Sequence, residues 1–270
     1  MKEIPQLVLD EISQHLEQFF IPIFVQFSSP TPNIKLIGSG TLVEAYQKYY
    51  VLTAAHVWHE TGDVDQIGFA LPPYSSLLIP RQGLSPKILC DQNNPQWGPD
   101  LALLSLPSSV VGKIKAYKTF LNFPKQKTAF TNQPRKLEKG IWAVTGMVGE
   151  LSDVQNDLGT QIIHADIQGR AFFGAITQTH EFHEYDYFDL KAKLELDGVP
   201  SSFCGLSGGG LWQVDLLQTK SKQITWKEPP HFRGVEFGQL PITNNYRTIR
   251  CHGPQGIFQK AWEFWGFDQK

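Results

Sequence analysis

The chain has 270 residues, of which 41% are hydrophobic and 19% charged, a balance that is typical of a folded globular protein and excludes a disordered one. Its length allows one large domain or two smaller ones. The formal net charge of −2 provides no global field that would attract nucleic acid or an anionic membrane. Twenty-three glycines and 18 prolines, spread among short apolar runs, favour a fold rich in strands and turns.

The cysteines and the N-terminal residues indicate in which cellular compartment the protein is expected. Cys90, Cys204 and Cys251 are too few for a disulfide framework and suit a reducing environment, although one pair could still form a bridge. The first residues include Glu3 and Asp10 and lack the apolar segment and cleavage site of a secretory signal. No apolar run approaches the roughly 20 residues that span a bilayer. We therefore expect a cytoplasmic protein with no membrane and no nucleic-acid partner.

The N-terminal segment, residues 1–20, predicts an amphipathic helix. Apolar side chains recur there at steps of three and four residues, at Leu9, Ile12, Leu16 and Phe19. Such a face either packs against the outside of a domain or docks on a partner protein, and both readings stay open.

Residues 21–118 predict a first set of strands. Short apolar runs recur there about every 8–12 residues with turn residues between them, a spacing typical of a β-barrel or a β-sandwich. The next segment, 119–139, has few strand signals and continues a stretch rich in lysine and arginine that begins at Lys113. We predict a solvated linker there; a surface for nucleic acid or an acidic partner is the alternative.

Residues 140–252 predict a second strand-rich half. Within it, residues 180–189 mix histidine, acidic and aromatic side chains. A metal site at His180 and His183 is the alternative there, but two histidines three residues apart without further ligands nearby favour an exposed loop. The last segment, 253–270, carries apolar and aromatic residues at helical spacing and predicts a C-terminal helix packed on the strands.

Three short strings carry the residue types of a nucleophilic site. His56 ends the string VLTAAH, Asp100 begins the string DLALL, and Ser207 lies in the glycine-rich string GLSGGG. A serine hydroxyl is a poor nucleophile without an adjacent base, and histidine can serve as that base near neutral pH. A carboxylate behind the imidazole fixes its tautomer. The backbone N–H groups of Gly205 and Ser207 are the expected donors of an oxyanion hole.

These strings, together with IGSGTLV at residues 37–43, resemble the trypsin-like serine peptidases of the chymotrypsin fold, in particular their disulfide-free bacterial branch. The order His, Asp, Ser agrees with that family, as do the separations of 44 residues from position 56 to 100 and 107 from 100 to 207. The resemblance runs from about residue 21 to residue 250.

The resemblance implies an all-β fold of two six-stranded antiparallel β-barrels, here flanked by N-terminal and C-terminal α-helices. His56 and Asp100 would come from the first barrel (21–118) and Ser207 from the second (140–252). It further implies hydrolysis of polypeptide substrates through an acyl-enzyme, without a cofactor or a metal.

Several positions bear on substrate and control. The resemblance places the substrate strand along Glu236, Phe237 and Gly238, and Ser201 at the base of the specificity pocket. Ser201 argues against strict cleavage after lysine or arginine, unless an acid reaches in from another strand. Many relatives place a serine on the substrate strand to support the catalytic aspartate, where this chain has Glu236 or Phe237. Leu206 stands where secreted relatives have an aspartate that pairs with a newly cleaved N-terminus, so we expect control by a protein partner rather than zymogen cleavage.

Two other functions fit parts of the sequence. A peptidase fold kept as a binding or scaffolding module would retain the same residues without catalysis. The pattern Gly-x-Ser-x-Gly also occurs in α/β-hydrolases, but that fold alternates strands with helices and places aspartate and histidine after the serine. Only 63 residues follow Ser207 here, so an esterase is the weaker alternative.

Overall fold

The computed structural model describes residues 4–27, 33–72, 75–91, 94, 96–132, 136–157, 162–167, 169–194 and 198–269. The protein is mostly β, with two main sheets, an N-terminal helix, α1 (Gln6–Glu17), and a short C-terminal helix. The predicted β-rich class and both terminal helices are therefore confirmed, although α1 is shorter than the predicted segment 1–20. Among the described helices, none has the length and apolar character needed to cross a membrane.

The first sheet is built from the N-terminal half of the chain. Its strands are β1 (Phe20–Phe27), β2 (Asn33–Ala45), β3 (Lys48–Thr53), β4 (Gln66–Leu71), β5 (Ser75–Pro80), β6 (Ser85–Cys90), β7 (Asp100–Ser105) and β8 (Leu121–Asn122). Seven of them follow the antiparallel order β5-β4-β1-β2-β3-β7-β6, and β8 joins β2 in parallel. Within the described residues no strand pair joins β5 to β6, so the hydrogen bonds leave this sheet open.

The second sheet is a ring of six strands. The chain enters it with β9 (Ile141–Met147), then forms a separate hairpin from β10 (Asp153–Asp157) and β11 (Ile162–Asp166), and continues with β12 (Gly169–Phe182), β13 (Tyr185–Lys193), β14 (Gly210–Gln218), β15 (Ile224–Gln239) and β16 (Tyr246–His252). The six strands pair in the order β12-β13-β16-β15-β14-β9, and β9 returns to β12. All these pairs are antiparallel, which does not match the parallel sheet of an α/β-hydrolase.

The segment predicted as a linker, 119–139, contains regular structure. Helix α3 (Ser108–Lys115) precedes it, and it holds β8 and helix α4 (Phe123–Asn132). Phe123 is fully buried and packs against Trp262 of the C-terminal segment. The many lysines concealed this burial, because a helix can place a few apolar side chains inward and leave its charges in water. Residues 133–135 of this basic stretch lie outside the described residues.

Residues 180–189 are not an exposed loop. They form the facing ends of β12 and β13, joined by a tight turn at His183 and Glu184, whose φ angles are 46° and 67°. The aromatic residues that follow favour a strand, and Tyr187 is fully buried.

The terminal helices join the two sheets through one apolar core. Ile12 and Leu16 of α1 are fully buried there. The C-terminal chain forms a π-helical stretch, Gly256–Ala261, followed by α5 (Trp262–Phe264), and its tryptophans surround Phe123. This shared core fixes the position of the strand ends that carry the predicted site.

Candidate active site

The predicted histidine and aspartate meet at one end of the first sheet. His56 lies in the first turn of α2 (Ala55–His59), directly after β3, and Asp100 is the first residue of β7. Because β3 and β7 are antiparallel neighbours, the end of one strand lies beside the start of the other. Nδ1 of His56 is 2.6 Å from Oδ2 of Asp100, and the His56 backbone N–H donates to Oδ1 at 2.9 Å. The carboxylate thus orients the imidazole and leaves Nε2 as the nitrogen that can exchange a proton.

Each member of this pair stabilises the charged form of the other. Burial disfavours a charged imidazole, but the hydrogen bond and charge of Asp100, helped by the charge of Glu60, raise the pKa of His56 above its ordinary value. Burial likewise disfavours a charged carboxylate, yet the hydrogen bond and charge of His56 lower the pKa of Asp100. An imidazole with a raised pKa is a stronger base, which suits removal of a proton from a hydroxyl group.

Ser207 lies on a turn of the second half that is bonded to the first sheet. The Ser39 N–H donates to the Ser207 carbonyl, and the Ser39 hydroxyl donates to the Gly205 carbonyl, both at 2.8 Å. Gly208 has a φ of 93°, and a Cβ there would lie 1.9 Å from the Ser39 carbonyl oxygen. Glycine is therefore required for the close approach of the two sheets.

The turn leaves two backbone donors beside the serine. Within the described part of the chain, the N–H groups of Gly205 and Ser207 make no hydrogen bond, whereas the N–H of Leu206 donates to the Phe203 carbonyl. These two groups are the predicted oxyanion donors. The Leu206 side chain is fully buried in an apolar cluster of the second half, so the turn is anchored at this position by packing.

A residue that sequence analysis had assigned to substrate binding, Glu236, is bonded through its backbone to the serine turn. The hydrogen bonds of the described residues include none between Ser207 and His56. Nor do they include one between Ser207 and Glu236, whose carboxyl group is only 1% exposed and lies close enough to His56 and Asp100 for their charges to affect its pKa. Burial raises the pKa of Glu236 to about 8, against the opposing effects of His56 and Ser207. The buried Glu236 carboxyl group therefore lies near enough to all three predicted catalytic residues for each of them to affect its pKa.

His252 supports Asp100 from the second sheet and was missed by sequence analysis. Its Nε2 accepts the Asp100 backbone N–H at 3.1 Å, which places the imidazole proton on Nδ1. The ring is fully buried, with its centroid 4.2 Å from that of Phe237 and 5.3 Å from that of Tyr187. Burial lowers the pKa of His252 to about 4, so the ring stays neutral and keeps this bond. The contact spans 152 residues of sequence, and no local pattern announces it.

A buried ion pair of the second sheet lies against Trp97, three residues before Asp100. Arg250 donates to both carboxylate oxygens of Asp189, at 2.8 and 2.9 Å, and its guanidinium carbon lies 3.9 Å from the ring centre of Trp97. Nε2 of His180 is 3.0 Å from Oδ2 of Asp189. His180 is therefore a member of this ion-pair cluster. Among the described residues, no group of three or more histidine, cysteine or acidic side chains could hold a metal ion.

The other predicted substrate-binding residues differ in their surroundings. Phe237 is buried, whereas Gly238 has open space where a side chain would begin. Ser201 is exposed, and its hydroxyl and N–H donate to the Glu150 carboxylate at 2.9 and 3.2 Å. An acid does therefore reach Ser201 from another element. Arg247, which donates to the Ser201 carbonyl at 2.6 Å, places a positive charge beside that acid.

No protein-family model matches this chain, and no curated protein matches its sequence. Sequence similarity therefore assigns neither a family nor an activity. The function has to be inferred from the geometry around His56, Asp100 and Ser207.

Proposed function

We propose that this protein is a trypsin-like serine endopeptidase, with Ser207 as nucleophile, His56 as general base and Asp100 as the group that orients the base. The observation that carries the proposal is the His56–Asp100 pair, which is joined by two hydrogen bonds of 2.6 and 2.9 Å. The pair lies on the sheet to which the serine turn is hydrogen-bonded. A closed ring of six strands beside an open antiparallel sheet is compatible with a chymotrypsin-like pair of β-barrels.

In the proposed reaction, Nε2 of His56 removes the Ser207 hydroxyl proton as the serine oxygen attacks the substrate carbonyl. The N–H groups of Gly205 and Ser207 stabilise the oxyanion that forms. The imidazolium, stabilised by Asp100, gives its proton to the leaving amine, and the acyl group stays on Ser207. Water then attacks the ester with His56 again as base, which releases the acid and restores the hydroxyl.

The substrate would bind as an added strand at the end of β15. Beyond Glu236, whose N–H donates to the Gly209 carbonyl and whose carbonyl accepts the Gly208 N–H, β15 continues to Gln239, and in the described residues that stretch pairs with β16 alone. Its other edge offers backbone groups to an extended polypeptide, and the open space at Gly238 leaves room for the chain.

Specificity and control complete the proposal. Because Arg247 offsets the charge of Glu150 near Ser201, we propose a substrate preference that is not restricted to lysine or arginine. Control by a protein partner follows from Leu206, which cannot pair with a new N-terminus. Cys90, Cys204 and Cys251 are free thiols, which fits a cytoplasmic enzyme.

Covalent labelling with a fluorophosphonate tests the proposed nucleophile. The Ser207 oxygen forms a bond to phosphorus, fluoride leaves, and the hydroxyl proton passes to His56. We expect the wild-type protein to be labelled and Ser207→Ala to remain unlabelled. Ser221→Ala, which alters an exposed serine between β14 and β15, should be labelled like wild type. His56→Ala should be labelled about a thousandfold more slowly.

Two outcomes would contradict the peptidase proposal. One is a wild-type protein that takes up no label after long incubation with excess probe. The other is label that persists in Ser207→Ala, because the reactive group would then lie elsewhere. If Ser207 is the labelled residue, digestion of a peptide library by wild type, compared with Ser207→Ala, would define the substrate.

A binding module is the second candidate function. It is favoured by one observation: among the described residues, no hydrogen bond joins the Ser207 hydroxyl to His56. Such a module would bind polypeptide along β15 without an activated serine, so the same labelling experiment separates the two functions.

A further inference from the structure

His252, the last residue of β16, joins the second sheet to the backbone of Asp100. Its Nε2 accepts the Asp100 N–H at 3.1 Å, and its own backbone lies opposite Val235 of β15 and Tyr187 of β13. The side chain is fully buried. Because a strand of the second sheet lies on each side of this residue, that sheet sets the position of its imidazole ring.

Aromatic neighbours set the orientation of the same ring. Phe237 stacks on the imidazole, with ring centroids 4.2 Å apart and planes 26° apart, and the Tyr187 ring lies 5.3 Å away. Phe237 belongs to the proposed substrate strand. A single buried ring therefore contacts the substrate strand and accepts a hydrogen bond from the proposed catalytic aspartate.

The imidazole is unfavourable in one respect at this position. Because Nε2 accepts the Asp100 N–H, the proton lies on Nδ1, which has no hydrogen-bond partner among the described residues. A buried donor without a partner is destabilising, and it offsets part of what the bond to Asp100 contributes. Burial also keeps the ring neutral by lowering the pKa of His252 to about 4, so it brings no charge that would compete with His56 for the carboxylate. The main effect of His252 is therefore on the placement of Asp100.

We propose that His252 is a positioning residue of the site: by holding the Asp100 backbone to the second sheet, it keeps the Asp100 carboxylate aligned with His56. The two oxygens of that carboxylate lie 2.6 Å from Nδ1 and 2.9 Å from the backbone nitrogen of His56, so a displacement of Asp100 weakens two hydrogen bonds at once. This inference rests on the peptidase function proposed above and adds a residue to that site.

Two amide variants test the inference. The oxygen of glutamine can take the place of Nε2 and accept the Asp100 N–H, whereas the shorter asparagine reaches only to the place of Nδ1. We expect the fluorophosphonate to label His252→Asn about tenfold more slowly than wild type, as for the loss of one hydrogen bond, and His252→Gln within about threefold of wild type. Ile249→Ala is the control for lost packing, because Ile249 is fully buried on the same strand in a separate apolar cluster. Its labelling rate should stay close to that of wild type.

The pH profile of labelling separates positioning from a general loss of stability. Asp100 raises the pKa of His56, so a displaced carboxylate lets that pKa fall toward its ordinary value. The labelling rate should rise with pH as His56 loses its proton. In His252→Asn we expect this rise about one pH unit lower than in wild type and the other variants, the equivalent of one hydrogen bond. Glu60 and Glu236 also lie near His56, and they are the same in every variant.

The tautomer of His252 gives a readout that needs no variant. Nitrogen NMR of the wild-type protein near neutral pH should show the His252 proton on Nδ1 and a bare Nε2. The opposite tautomer would overturn the inference, because a protonated Nε2 cannot accept the Asp100 N–H.

The remaining outcomes distinguish failure of the inference from failure of the function. Folded His252→Asn with the labelling rate and pH profile of wild type would overturn the inference and leave the peptidase function intact, because Ser207 would still react. An equal change in His252→Gln or in Ile249→Ala would overturn it in the same way, since the effect would not follow the acceptor. A wild-type protein that takes up no label would overturn the peptidase function itself, and the inference with it.

Discussion

Replacing Glu236 with glutamine should remove a pH dependence from the stability of the protein. The pKa of Glu236 is about 8 in the folded protein, compared with an ordinary value of 4.5. Between these pH values the folded protein retains a proton that the unfolded chain has lost, so the free energy of unfolding falls by about 1.4 kcal/mol per pH unit. From pH 4.5 to neutral pH this loss is about 3 kcal/mol. Glutamine does not ionise, so Glu236→Gln does not undergo this loss.

Urea unfolding of the two proteins, followed by tryptophan fluorescence at several pH values, measures the effect. The His56–Asp100 pair titrates in both proteins. While Glu236 is neutral, the contribution of this pair to the unfolding free energy is therefore the same in wild type and in Glu236→Gln, and it cancels when the two are subtracted. Part of the amide would lack a hydrogen-bond partner, as Oε2 of Glu236 does among the described residues, but that cost is the same at every pH. We expect the difference in unfolding free energy to shift in favour of glutamine as pH rises. Parallel curves would refute the reasoning, because they would show that Glu236 ionises as in water.

Two further predictions concern the contacts that hold the site. Gly208→Ala should destabilise the protein by at least about 3 kcal/mol, because the new Cβ meets the Ser39 carbonyl and φ is 93°. Gly112→Ala, in α3 with open space around it, should instead stabilise the protein by up to about 1 kcal/mol. Thermal melts in which Gly208→Ala is as stable as Gly112→Ala would contradict this prediction. Arg250→Leu should cost about 3–5 kcal/mol in urea unfolding because it leaves the buried Asp189 carboxylate without its ion pair, and changing both residues to leucine should recover part of that loss.

The parts of the site that could be predicted are those with a local signal. His56 follows a strand and Asp100 opens one, and both positions can be recognised within a few residues of sequence. The glycines around Ser207 likewise mark a turn with free N–H groups. Antiparallel pairing then brings the first two residues together without any further information, since β3 and β7 are neighbours.

The parts that could not be predicted depend on pairings between distant segments. The bond from Asp100 to His252 joins residues 152 positions apart, and a histidine at the end of an apolar strand has no property that would indicate its partner. Glu236 was predicted to lie on the substrate strand, but its burial depends on how β15 meets the serine turn. Strand β13 was missed for a related reason: Asp186 and Asp189 read as surface residues, but both are buried, and their burial depends on partners distant in sequence.

The way the serine turn is held bears on how a partner would control it. Ser39 bonds two carbonyls of the turn, and Leu206 fills an apolar cluster of the second half, so packing and backbone bonds fix the donors without an ion pair. A partner that reshaped this turn would have to break the contacts between the two sheets. Turning the Ser207 hydroxyl toward His56 needs only the rotation of one side chain. Control through the orientation of the Ser207 side chain therefore needs less structural change than the ordering of a turn, and it leaves the oxyanion donors in place throughout.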